Sequence, residues 1–164
     1  MLAATGAASV ILFVGHSMNQ ADYSGELRCG GGVITYHSAV RNWSCPIADV
    51  RLIGEYTNSD GPYLDDYFLV FLTAPEGGWH EASFYAKGRD ETLAELSRSL
   101  GGPLQCGLCN STHYKTRIMW PPQVKDQELM EVLPPKAQSL WQKLTDSGAR
   151  DIRLSAAARQ AFEK

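Results

Sequence analysis

Hydrophobic and polar positions across residues 50–86 fall into three blocks, and each block predicts a β-strand. Val50, Leu52, Gly54 and Tyr56 alternate with Arg51, Ile53, Glu55 and Thr57. Alternation at period two puts successive side chains on opposite faces of a sheet. Asn58-Ser59-Asp60-Gly61-Pro62 breaks the run, since Gly accepts positive φ and Pro cannot donate to a ladder. Tyr67-Phe68-Leu69-Val70-Phe71-Leu72 is apolar on both faces, which suits a strand covered on both sides. After Ala74-Pro75-Glu76-Gly77-Gly78 the alternation resumes, with His80, Ala82, Phe84 and Ala86 on one face. Connections this short predict an antiparallel meander.

Upstream, Cys29-Gly30-Gly31-Gly32 separates Glu26-Leu27-Arg28 from Val33-Ile34-Thr35-Tyr36, two short strands hinged at a glycine turn. Residues 42–46 read as a loop. Downstream the period changes: Leu93, Leu96 and Leu100 line one face of a helix, with Asp90 as the expected N-cap and Gly101-Gly102-Pro103 as the stop. Tyr114, Thr116, Ile118 and Trp120 then alternate with Lys115, Arg117 and Met119, a strand ended by Pro121-Pro122. Pro135 opens a helical stripe of Ala137, Leu140, Trp141 and Leu144 that stops at Gly148, and Ser155 caps a last short helix over 156–162. Strands adjacent in sequence followed by segregated helices predict an α+β fold: a bent antiparallel sheet closed by an amphipathic helix, with additional C-terminal helices. The expected organisation is an apolar segment over 1–24, a β-rich core over 25–133, and a helical extension over 134–164 packed on the same domain.

Composition narrows the function classes. The chain has 164 residues, enough for one domain with a core, and is 44% hydrophobic and 20% charged, ordinary for a globular protein. A net charge of −3 argues against a nucleic-acid-binding surface. The charge is uneven: residues 1–133 carry 9 basic and 15 acidic side chains, residues 134–164 carry 6 and 3. No Asp, Glu, Lys or Arg precedes Asp22. That N-terminal stretch reads as an ordered strand over 9–14, as an extension outside the domain, or as the remnant of an export or anchor segment. Membrane association is expected only in the last case, and a cytoplasmic location otherwise.

Residues 26–100 resemble the bacterial pleckstrin-homology-like domains. The resemblance rests on the strand at Val33-Ile34-Thr35-Tyr36, the strand entering at Asp49-Val50-Arg51-Leu52-Ile53, the hairpin after it, and the Leu93/Leu96/Leu100 helix. It implies a scaffold that binds partners or lipid headgroups rather than catalyses. The first strands and their loops carry no basic cluster of the kind used for phosphoinositides; Arg28 and Arg41 are isolated.

Candidate chemistry is sparse. Cys106-Gly107-Leu108-Cys109 has C-x-x-C spacing and His113 follows, so these three could ligate zinc, with Cys29 or Cys45 as a distant fourth donor. The competing readings are a redox dithiol, disulfides in an exported chain, and free thiols. Glu55, Asp60, Asp65 and Asp66 surround one turn; they could hold calcium or do acid–base work, and the simpler reading is turn chemistry. His80 reads as a sheet histidine. Trp43, in a polar segment, is the expected exposed aromatic anchor. Asn42-Trp43-Ser44 and Asn110-Ser111-Thr112 are glycosylation sequons that matter only in a secreted chain. The expectation is a non-enzymatic binding or protein-interaction module without a cofactor, contacting a protein or small ligand through Trp43, Glu55, Asp65 and Asp66. The alternatives are a zinc-stabilised domain using Cys106, Cys109 and His113, and a small hydrolase at the 54–66 turn.

Overall fold

A computed structural model describes residues 24–59, 64–73, 78–109, 111, 113–132 and 152–162. The N-terminal apolar segment, the tips of the turns at 60–63 and 74–77, and the helix expected over 135–148 lie outside the described residues.

Mostly antiparallel sheets with a few helices form the domain, the α+β class expected. Strands β1 (Glu26–Gly30), β2 (Val33–His37) and β3 (Asn42–Pro46) make a three-stranded sheet in that order. Gly31 and Gly32 form the β1–β2 turn with φ of +58° and +79°, the left-handed pair that matches strand twist. Residues 42–46, expected as a loop, are a strand: Cys45 is buried and Trp43 half-buried, while Asn42, Ser44 and Pro46 face out. Pairing with β2 supplies the order that local propensity lacks.

A 3-10 turn, Ile47–Asp49, leads into β4 (Val50–Thr57), and β5 (Tyr67–Thr73) and β6 (Gly78–Ser83) follow. After helix α1 (Arg89–Ser99), strand β7 (Lys115–Trp120) returns to the free side of β4, so the larger sheet runs β6-β5-β4-β7. The α1 N-cap is Gly88, with φ of +75°, rather than Asp90, which lies in the first turn beside Arg89. A 3-10 turn at Pro122–Val124 precedes the short pair β8 (Met130–Val132) and β9 (Ile152–Leu154), and then helix α2 (Ala156–Phe162). Ser155 caps α2 as expected, its Oγ accepting the Ala158 N–H at 3.1 Å.

Both faces of the four-stranded sheet are covered. On one, Ile53, Leu69, Phe71, Ala82 and Met119 pack with Leu27, Ile34 and Tyr36 of the smaller sheet and with Leu93 and Leu96 of α1. On the other, Leu52, Val70, Leu72 and Ile118 pack with Val124, Leu129 and Ala158. The run in β5 is apolar on both sides because it has a core on both sides. Each such side chain contributes roughly 1.5–3 kcal/mol on burial. No helix among the described residues is long and apolar enough to cross a membrane.

Candidate functional site

Glu55 lies in the middle of β4 and is fully buried. An isolated carboxylate is very costly there, so its oxygens must be engaged. Arg117, directly opposite on β7, donates from Nε to Oε1 at 2.6 Å. The Tyr67 hydroxyl, on the same face of β5, donates to Oε2. The Gly107 N–H donates to Oε1 at 3.0 Å. Tyr67 Oη in turn accepts the Leu108 N–H at 3.3 Å, and Arg117 Nη1 and Nη2 reach Asp126 Oδ1 at 2.7 Å and the Gln105 carbonyl at 2.5 Å. One carboxylate thus pins the 105–108 loop onto the sheet. Gly107 lies close to the clamp: a Cβ there would stand 2.6 Å from the Arg117 guanidinium carbon, so that the guanidinium would have to shift.

The electrostatics follow this geometry. Burial, reinforced by the hydrogen bond to Glu55, holds the Tyr67 hydroxyl far above the usual phenol range. Burial works against the Arg117 charge, but Glu55 and then Asp126 outweigh it and the guanidinium is held more firmly protonated. The Cys106 thiol is pushed up to about 11 by burial and by Glu55. The constellation is therefore a closed ion pair with its donors and acceptors matched internally.

The other acidic residues of the turn are built differently. Asp65 accepts from Ser24 Oγ at 3.1 Å, and Asp66 accepts the Tyr85 hydroxyl at 2.7 Å. Cys106 is partly buried, Cys109 is exposed, and His113 uses its carbonyl, not its ring, to receive the Thr57 hydroxyl at 2.6 Å. Among the described residues no three His, Cys, Asp or Glu side chains come together as a metal-holding group. Cys29 and Cys45 flank Ile34 on β2, two strand spacings or about 9.6 Å apart, too far for the roughly 7 Å Cα limit of a disulfide.

Trp43 is half-buried rather than exposed. Its indole is half-buried between the rings of Tyr36, Phe71 and His80, at 5.8, 5.5 and 5.1 Å, and its Nε1 donates to the Glu81 carbonyl on edge strand β6 at 2.7 Å. Among the described residues the exposed tryptophan is Trp79, on the opposite face of β6. There the Glu81 carboxylate is a second hub. Its Oε1 accepts the Trp79 indole N–H at 2.6 Å and the Tyr56 hydroxyl at 3.0 Å, and its Oε2 pairs with Arg41 from the β2–β3 turn. Phe68 stacks on Tyr56 at 5.1 Å. Alternation along 79–86 already puts Trp79 and Glu81 on one strand face; what the sequence does not show is Arg41, which joins them from the β2–β3 turn.

No protein-family model matches this chain, and neither a curated protein nor a solved structure does.

Proposed function

We propose that the domain is a binding module that docks a protein partner on the aromatic surface around Glu81. One observation carries this reading: Trp79, Tyr56 and Arg41, the three residue types that dominate interface energetics, are all tied to a single carboxylate. Side chains held in place before binding lose little rotamer freedom on docking, which is the main cost such a surface avoids. Val40, beside Arg41, is 65% exposed and Trp79 is 37% exposed, so apolar area stands ready at the rim. The finer scaffold reading belongs to the same proposal: a bent antiparallel meander closed by α1, of pleckstrin-homology-like type. The smaller sheet and α1, packed on one face of the larger sheet, support it.

Panning a random peptide library on the immobilised domain tests the reading. An enriched sequence should bind the wild type and lose about tenfold or more on Trp79→Ala or Arg41→Ala, with the melting temperature nearly unchanged. Failure to enrich any sequence, or enriched peptides indifferent to both substitutions, rejects it.

A further inference from the structure

A second surface lies at the opposite end of β4, where core residues meet exposed polar side chains. Two register faults sit there. Val50 pairs with Thr73 and Leu52 with Leu72, so Arg51 has no partner on β5. Ile53 pairs with Trp120 and Gly54 with Ile118, so Met119 has no partner on β4. Bulges bend a strand and re-aim the side chains beside them. Between these two lies a groove of about 420 Å³, lined by Arg51, Trp120, Gln123, Val124, Gln160 and neighbouring Pro121 and Ala161.

Its polar groups face solvent: Arg51, Gln123 and Gln160 are exposed, and among the described residues no hydrogen bond or ion pair joins their side chains, or the Trp120 indole N–H, to another group. The groove beside Arg117 is the contrast. Arg117, Asp126, Thr116 and Tyr114 line it, and each is engaged elsewhere in the fold. A concavity that sets apolar surface, here Trp120, Pro121, Val124 and Ala161, beside a few polar groups is the usual form of a small-ligand site.

We infer that this groove binds a small organic carboxylate, with the carboxylate on Arg51 and an aromatic or short aliphatic body against Trp120 and Val124. The charge of the lining selects the ligand. Arg51 is the single charged side chain among the described lining residues, and no acid stands there to repel an anion. A guanidinium matches a carboxylate through two parallel hydrogen bonds. One cation beside neutral amides suits a single negative charge better than a phosphate dianion. Trp120, Pro121, Val124 and Ala161 offer contact to a hydrocarbon body that inorganic ions lack. The volume holds a ring with a short side chain.

Phenylacetate is a suitable probe, with phenylacetamide as its neutral counterpart and inorganic phosphate as a bare anion. ¹H–¹⁵N spectra of the full chain should show saturable shifts of the Trp120 indole signal, assigned through Trp120→Phe, as phenylacetate is added. Arg51→Gln should weaken binding about tenfold or more, the loss of a charge-assisted pair. Because Arg51 is exposed and holds nothing else, the variant's melting temperature should match the wild type. Phenylacetamide should bind as weakly to the wild type as phenylacetate does to the variant. The inference is overturned by any of three results: no saturable shift at about 10 mM phenylacetate, well above a weak millimolar Kd; equal binding of phenylacetate and phenylacetamide; or phosphate binding as well as phenylacetate. None of these bears on the Trp79 surface, which is read by its own variants.

Discussion

Glu55 and Arg117 face each other across β4 and β7, and the 2.6 Å bond between Oε1 and Nε joins a fully buried carboxylate to a guanidinium that also holds the 105 carbonyl and Asp126. Removing one partner of a buried pair leaves an uncompensated charge. Arg117→Met should therefore cost roughly 3–5 kcal/mol in urea unfolding, whereas the double variant Glu55→Leu/Arg117→Met should recover much of the loss. Equal stability of the single and double variants would show that the carboxylate is not the stranded charge.

The same clamp leaves no room at residue 107. A methyl there would press on the guanidinium, 2.6 Å from its central carbon, and that group is tethered by hydrogen bonds to Glu55, Asp126 and Gln105. Gly107→Ala should cost about 1–3 kcal/mol, the usual range for overpacking. In an Arg117→Met background the penalty should shrink, because the shorter chain can yield. Chemical denaturation of the four proteins forms the double-mutant cycle, and strict additivity would rule out the steric explanation.

How far the sequence revealed this arrangement depends on the reach of each interaction. Strands β4 and β5 were legible because the alternation at 50–57 and the unbroken run at 67–72 are local signals, and so was the Ser155 cap, while β6 stops at Ser83 although the alternation continues to Ala86. Strand β3 was not: it has only Trp43 and Cys45 as inward positions and depends on β2 for its order. Strands β8 and β9, three residues each, are too short for any period to declare itself. Glu55 was flagged, but in the company of Asp65 and Asp66, its neighbours in sequence. Its true partners come from β5, β7 and the 107 loop, up to 62 residues away. A carboxylate inside the apolar stretch Leu52-Ile53-Gly54-Glu55 does call for a cation, and Arg117 on a strand of its own was available to supply it. Trp43 reads as exposed from sequence for the related reason that residues 42–46 carry no strand signal of their own.

Phe71 tests the burial of β5 on the face packed against the smaller sheet. It is fully buried, packs against Trp43, and stands opposite Ile53 on one neighbour and His80 on the other. Phe71→Ala should cost roughly 3–5 kcal/mol, the transfer term plus the cavity left in a core that closes poorly. A near-neutral change in the denaturation midpoint would mean that this strand is not central.

The thiols give the alkaline limb of stability a sign and a window. Cys45 is pushed up to about 11 by burial, with Asp49 and then Cys29 adding to it, and Cys106 is pushed up to about 11 by burial and Glu55, both from an ordinary value of 9.0. Well below pH 9 both are protonated whether folded or unfolded, so their contribution to stability is fully present. From about pH 9 to 11 the unfolded chain releases protons that the folded chain keeps, and stability falls as pH rises. Tyr67, raised in the same direction, extends the fall beyond the ordinary phenol range. Melting temperatures measured across pH 8 to 11 should therefore decline, and Cys45→Ala should lower the starting value by a cavity term that pH does not change while flattening the slope. Iodoacetamide should modify exposed Cys109 first in the folded protein, with Cys45 and Cys106 slow until the upper end of that range. A Cys45→Ala slope identical to wild type, or Cys45 alkylated as fast as Cys109 at pH 8, would show that the thiol is neither buried nor protonated as its surroundings require.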